Sequence, residues 1–260
     1  MHELAGPAAL WIVAHRGWTQ AADENSLAAF QAGWDQGVDA VEGDFRLTRD
    51  RQIVCIHDAT TERLWKVKHT VAESTLAELK DAQRRAAAGM APCSQPPATL
   101  AEVLDLVPAG KKIFLELKTG PEIVPPLQIV LRSSRLSWDQ IILIGFEAET
   151  VRAAKTLLPE LRAHLLMKAR SLALGEDTQQ EFIGAAEMLD ALRASGADGL
   201  GLEANVDWAT GKLLHQLRQG GLREFHVWTV NSPRAARHFA DLGPLAITTD
   251  FPGQLREWIS

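Results

Sequence analysis

Short apolar runs recur along the chain, each followed by a stretch in which apolar positions repeat every three or four residues. Runs at 10–15, 39–45, 112–118, 140–145, 162–167, 197–201, 224–230 and 245–249 read as strands. They are apolar along most of their length, as expected of strands covered on both faces. Between them, Leu27, Phe30 and Trp34 fall on one helix face, as do Val151, Ala154 and Leu158, and Leu213, Leu214 and Leu217. Strand–helix alternation predicts a parallel sheet with right-handed crossovers. Eight such units favour a closed (β/α)8 TIM barrel within the α/β class over an open doubly wound sheet.

The alternation breaks once. After the second strand, a polar turn from Leu47 to Gln52 leads into Ile53–Ile56, which reads as a hairpin. The stretch from Thr60 to Ala98 is less regular and holds Pro92, Pro96 and Pro97. Residues 46–98 are therefore expected to be an insertion after the second barrel strand of a single domain spanning 1–260. Thr99 is positioned to cap the helix that resumes the barrel, and Asn25 reads as the N-cap of a helix at 26–36.

Composition narrows the class. The chain has 260 residues, 46% hydrophobic and 23% charged, a globular balance with room for one barrel. A formal net charge of −6 argues against broad binding to nucleic acid or an anionic membrane, but leaves room for a small anionic ligand. Cys55 and Cys93 form no CxxC pair, and the N-terminus lacks a basic signal region. A cytoplasmic protein with reduced thiols and no stable membrane anchor is expected.

In a barrel the chemistry sits at the C-terminal ends of the strands. Those ends read His15-Arg16-Gly17, Glu42 with Asp44, Glu116-Leu117-Lys118, Trp228-Thr229-Val230-Asn231 and Thr248-Thr249-Asp250, and the hairpin returns to His57-Asp58. Glu42 and Asp44 are two apart and share a face. Three carboxylates converging in a barrel mouth would repel, and two resolutions compete. One is a divalent cation, Mg²⁺ or Ca²⁺ suiting oxygen ligands. The other is plain pairing with Arg16, Lys118 or Arg46. His15 and His57 on the same rim suit proton transfer near neutral pH. Arg16 offers a planar fork for phosphate oxygens and Lys118 a point charge. Together these groups are the equipment for cleaving a phosphoester. Trp228 has two readings, a face for the carbons of a small polyol or a rim residue filling the barrel. Gly17 fits close approach to a ligand or a bare turn. Asp58 is given no chemistry beyond orienting its loop or the imidazole. His2, His69, His164, His215, His226 and His238 read as structural or surface residues. The chain lacks GxGxxG, GxxxxGK[ST] and GxSxG, the usual marks of a dinucleotide site, a P-loop or a serine elbow.

The ordered set Ala14-His15-Arg16-Gly17, Glu24-Asn25-Ser26, Val41-Glu42-Gly43-Asp44, Ile56-His57-Asp58, Leu115-Glu116-Leu117-Lys118, Val227-Trp228-Thr229-Val230-Asn231 and Ile247-Thr248-Thr249-Asp250-Phe251-Pro252 resembles the glycerophosphodiester phosphodiesterase family. The resemblance implies a TIM barrel with an insertion after the second strand. It implies that Glu42, Asp44 and Glu116 hold Ca²⁺ or Mg²⁺ and that His15 and His57 are the acid–base pair. Arg16 and Lys118 would bind the substrate phosphate, and Trp228 would contact its glycerol. The implied reaction converts a small glycerophosphodiester to sn-glycerol 3-phosphate and an alcohol. The chain departs from the family pattern at Asp23, where proline is usual, and at Ser26, where threonine is usual. It also departs at Gly43, which is expected to face away from the pocket and leave its strand less well packed. The rival readings are a phospholipase D of the sphingomyelinase D type, whose members are secreted and disulfide-bonded, and a non-catalytic barrel that binds a phosphorylated metabolite.

Overall fold

The structure is a computed structural model that describes residues 10–88, 95–169 and 182–260. Cys93, Pro92, His2 and the N-terminal segment lie outside the described residues. Eight parallel strands close a barrel: β1 Trp11–Ala14, β2 Ala40–Leu47, β4 Lys112–Leu117, β5 Ile141–Gly145, β6 Arg162–Met167, β7 Gly199–Glu203, β8 Glu224–Trp228 and β9 Ala246–Thr249. Closure comes from β1, which pairs with both β2 and β9. The short strand β3, Ile53–Cys55, runs antiparallel to β2, with Phe45 opposite Cys55. The expected barrel is thus present, with strand ends shifted by at most two residues.

Helices α1 Leu27–Asp35, α4 Leu100–Leu106, α5 Val124–Ser133, α6 Ala148–Leu157, α7 Ala185–Ser195, α8 Gly211–Gln219, α9 Pro233–Asp241 and α10 Pro252–Ile259 follow the barrel strands. The predicted stripes are buried: Phe30 and Trp34 on α1, Val151 and Ala154 on α6, Leu213, Leu214 and Leu217 on α8. They fill one continuous core between helices and sheet. A separate cluster of Val13, Ala40, Phe114, Ile142, Ile144, Leu166 and Ala246 fills the barrel interior.

Between β3 and α4 lie α2 Glu62–Trp65 and α3 Leu76–Ala88. The stretch expected to be irregular thus contains a helix of 13 residues. Its sequence is rich in Ala, Leu, Glu, Lys, Gln and Arg, all strong helix formers. Its buried face is largely alanine and Gln83, so it carries little of the large-residue periodicity that marks helices from sequence. Trp65, Val71, Leu79 and Ala86 close a small core with Val54 and Ile56.

Two caps separate the expectations. Thr99 caps α4 through a full capping box with Glu102, as expected. Asn25 does not cap α1. Ser26 does, accepting from the Ala29 N–H. Asn25 sits at φ +58°, a left-handed conformation that asparagine tolerates, and turns its amide toward β2. Gly17 sits at φ +80°, and a Cβ there would lie 2.5 Å from the Ala29 carbonyl carbon. Close approach to helix α1, rather than to a ligand, requires this glycine.

Candidate active site

Strand register assembles the carboxylates. Glu42 and Asp44 both point into the barrel from β2, and β4 pairs so that Glu116 lies beside Asp44 and Phe114 beside Glu42. One ligand atom from each of Glu42, Asp44 and Glu116 lies within 4.8 Å of the others, and all three residues are buried. Glu42 Oε1 has no hydrogen-bond partner, while its Oε2 accepts from the Arg16 N–H at 3.0 Å. A buried oxygen without a donor, among three converging carboxylates, is a donor set that fits a divalent cation.

The pairing alternative is also partly realised. Lys118 Nζ lies 3.1 Å from Asp44 Oδ1 and 2.5 Å from Glu116 Oε1, and Arg16 Nε lies 3.1 Å from Asp44 Oδ2. Arg46 takes no part. Its guanidinium donates to the backbone carbonyls of His57 and Lys118 and ties the hairpin to the end of β4. Electrostatics differ across the cluster. Burial and the neighbouring Asp44 push the Glu42 carboxyl up to about 8. Burial and Asp44 also raise Glu116. Burial acts upward on Asp44 too, but Lys118, Arg16 and the Asn25 amide outweigh it and hold Asp44 below its ordinary value. Burial lowers Lys118, but Asp44 and Glu116 outweigh it and raise that amine.

The two histidines are held alike. His15 Nδ1 donates to Asp250 Oδ1 at 2.7 Å, and His57 Nδ1 donates to Asp58 Oδ1 at 2.7 Å. An aspartate on Nδ1 fixes the ring and its tautomer and leaves Nε2 for proton transfer. His15 Nε2 lies 4.0 Å from Glu42 Oε2, at the edge of the carboxylate cluster. Burial depresses His15, but the Asp250 hydrogen bond and Glu42 outweigh it and raise the imidazole. At His57 burial prevails over the pull of Asp58 and lowers it. Asp250 is itself steadied by Asn231, whose Oδ1 accepts from the Asp250 N–H at 2.9 Å.

Trp228 ends β8 at the mouth, where its ring meets Phe146 edge-on at 5.3 Å between centroids. Lys118 and Lys168 lie 5.9 and 5.1 Å from the Phe146 ring. The sequence reading missed three supports. Asn25 Nδ2 donates to Asp44 Oδ2 and Asn25 Oδ1 accepts from the Asp44 N–H, each at 2.9 Å. Glu24 accepts from Arg16 Nη1 at 3.1 Å and from Arg63. The Asp250 carboxylate that holds His15 was visible only as a polar residue at a strand end. His164 and His226 are interior rather than surface residues, stacked inside the barrel with Nδ1 atoms 2.8 Å apart. Gly43 faces away from the pocket, as expected, but its strand is not loosely packed. A Cβ there would lie 2.9 Å from Phe30 Cζ and 3.2 Å from Cys55 Sγ.

Known proteins resemble this chain in sequence and in fold. A glycerophosphodiester phosphodiesterase of Caldanaerobacter subterraneus subsp. tengcongensis is 31% identical over 161 residues, covering 60% of this chain and 65% of that protein. One from Bacillus altitudinis is 27% identical over 249 residues, covering 93% and 94%. The structure of an Oleispira antarctica phosphodiesterase in complex with the product sn-glycerol-3-phosphate superposes with a TM-score of 0.77 at 21% identity, covering 96% of each chain. Among the described residues, no helix is long and apolar enough to cross a membrane. The sequence pattern of the glycerophosphoryl diester phosphodiesterase family matches residues 15–254, from the first catalytic candidate almost to the end, and this chain belongs to that family of phosphoric diester hydrolases.

Proposed function

We propose that this chain hydrolyses small glycerophosphodiesters, such as glycerophosphocholine or glycerophosphoethanolamine, to sn-glycerol 3-phosphate and the free alcohol. The observation that carries this reading is the pairing of a buried three-carboxylate cluster with two histidines, each held at Nδ1 by an aspartate. The product bound in the Oleispira antarctica enzyme supports the same substrate class. Glu42, Asp44 and Glu116 would hold Mg²⁺ or Ca²⁺. When bound, such a cation supplies positive charge where the phosphoryl oxygens gain negative charge.

The chain's own residues do the rest. Arg16 presents its planar fork and Lys118 its ammonium to the remaining phosphate oxygens and offset the charge that grows in the transition state. One imidazole takes a proton from the attacking hydroxyl, and the other gives a proton to the departing alkoxide. Trp228, backed by Phe146, offers an apolar wall to the glycerol carbons. The attacking group is the glycerol 2-hydroxyl, which expels the alcohol and gives a cyclic phosphate that water then opens, or it is a water. Transient cyclic glycerophosphate marks the first, and normal turnover of an analogue lacking the 2-hydroxyl excludes it.

Residues 1–260 act as one catalytic barrel in this reading. The insertion at 46–98 carries His57 and shapes the rim, and the setting is cytoplasmic. The test is release of glycerol 3-phosphate from a panel of glycerophosphodiesters, with Mg²⁺ or Ca²⁺ and with chelator. Release that chelator abolishes is expected. No release from any member of the panel with metal supplied rejects the proposal.

A further inference from the structure

Arg63 lies on α2, outside the barrel, and its guanidinium joins two carboxylates from different segments. Nη1 donates to Glu24 Oε2 at 2.9 Å and Nη2 to Glu24 Oε1 at 2.6 Å, a parallel two-bond fork. Nε donates to Asp58 Oδ2 at 2.5 Å. Both carboxylates are already committed to the site. Glu24 Oε1 accepts from Arg16 Nη1 at 3.1 Å, and Asp58 Oδ1 accepts from His57 Nδ1 at 2.7 Å. One planar group therefore closes a chain of contacts running from His57 through Asp58, Arg63 and Glu24 to Arg16.

Stability alone is a weak reason for this arrangement. The Arg63 side chain is 47% exposed, and exposed ion pairs contribute little. Geometry is a stronger one. Arg16 comes from the end of β1 and His57 from the hairpin, with no hydrogen bond between them among the described residues. A guanidinium offers several donors in one fixed plane, so it sets two carboxylates at a defined angle. We propose that Arg63 is a positioning residue that holds the phosphate-gripping Arg16 and the proton-transferring His57 in register with each other. The proposal rests on the roles given to Arg16 and His57 above.

Two consequences follow. Misplacement of a catalytic group by about 1 Å costs on the order of 10²-fold in rate. A lysine, carrying a point charge, reaches one carboxylate at a time and cannot restore the register. Arg63 also draws on the Asp58 charge. Without it, Asp58 acts on His57 alone and the imidazole holds its proton more tightly. Asp44, Arg16 and Lys118 also face His57. Their side chains are unchanged in a variant at position 63.

The test uses the full chain, loaded with Mg²⁺ or Ca²⁺, as wild type, Arg63→Gln and Arg63→Lys. Kinetics on glycerophosphoethanolamine are measured where circular dichroism shows each protein folded, and His57 is titrated by NMR. For Arg63→Gln, kcat is expected to fall roughly 10–100-fold and the His57 titration to move to higher pH. Arg63→Lys is expected to recover only a small part of kcat. If Arg63→Gln does not fold, Arg63→Lys carries the kcat expectation, with a smaller move of the His57 titration because the lysine keeps a positive charge near Asp58. A kcat within about twofold of wild type, or an unmoved His57 titration, overturns the proposal. A wild type that releases no glycerol 3-phosphate defeats the catalytic reading instead, while the NMR titration still reports whether Arg63 acts on His57.

Discussion

Asn25 holds Asp44 at two points, its Nδ2 donating to Asp44 Oδ2 and its Oδ1 accepting from the Asp44 N–H, each at 2.9 Å. Both residues are buried. The amide thereby fixes the rotation of a carboxylate that also meets Arg16 and Lys118. Loss of a group that orients a metal ligand typically weakens metal binding ~10–100-fold, and leaving the Asp44 N–H unsatisfied costs about 1–3 kcal/mol. Asn25→Ala is therefore expected to bind Mg²⁺ or Ca²⁺ more weakly by calorimetry and to melt earlier. Unchanged affinity would show that Asp44 needs no such support.

Glu42 carries the buried oxygen without a donor. Burial beside Asp44 disfavours its charged form, so an amide in its place removes no stabilising charge from the metal-free protein. Glu42→Gln is expected to melt no lower than wild type in chelator. It should fail to gain the stabilisation that added metal gives wild type, about 2.7 kcal/mol at a hundredfold excess over Kd. Thermal melts with and without cation check this. Equal gains in both proteins would remove Glu42 from the ligand set.

His15 and His57 share one geometry, an aspartate on Nδ1 and a free Nε2. Replacing either by alanine is expected to lower turnover at least ~10²-fold, the scale of a positioned acid or base, and to leave the fold intact. Near-normal turnover in His57→Ala would reject its role in proton transfer. Metal affinity should be nearly unchanged in that variant, and a large loss would mark His57 as a ligand instead.

The barrel interior holds a second polar chain with a different consequence. Glu224 Oε1 accepts from His164 Nε2 at 2.9 Å, and the Nδ1 atoms of His164 and His226 lie 2.8 Å apart. His226 Nε2 is buried with no hydrogen-bond partner. Burial and the neighbouring His164 hold His226 far below its ordinary value of 6.5. The unfolded chain therefore binds a proton there that the folded chain refuses. Stability is full above that ordinary value and falls as pH drops below it, by up to ~1.4 kcal/mol per pH unit for one proton. In melts between about pH 7 and about pH 5, wild type is expected to lose more stability than His226→Gln. Parallel curves would place the acid lability elsewhere.

Gly43 faces Phe30 and Cys55 across less space than a methyl needs. Gly43→Ala is expected to destabilise by about 1–3 kcal/mol, the scale of overpacking, while activity per folded molecule stays close to wild type. The side chains of Glu42 and Asp44 point to the other face of β2, so a large loss of activity in folded protein would mean that the strand itself has shifted.

The strand pattern was legible because a parallel barrel buries its strands on both faces, leaving apolar runs that local sequence displays. Glu42, Asp44 and Glu116 were legible for the same reason. Ionisable residues inside such runs break the pattern, and a period of two puts Glu42 and Asp44 on one face. α3 was not legible, since among its described positions Leu79 is joined on the buried face by Ala82, Gln83 and Ala86 rather than by a stripe of large apolar residues. Gly43 looked like a packing defect because Phe30 and Cys55, which fill its place, arrive from other elements.

What the sequence determined by itself was local: strands, helix faces, the Thr99 cap and the residue types at the strand ends. The tertiary structure decided the partners. Asp250 meets His15 across 235 positions only because β1 pairs with β9 and closes the barrel. Asn25 reaches Asp44 because Gly17 lets its loop lie against α1, and Arg63 of α2 meets Glu24 of the loop after β1 across 39 positions. Hydrogen bonds and ion pairs depend on distance in space. Loops carry no periodic signal that fixes such distances, so these contacts exist only once the barrel has closed.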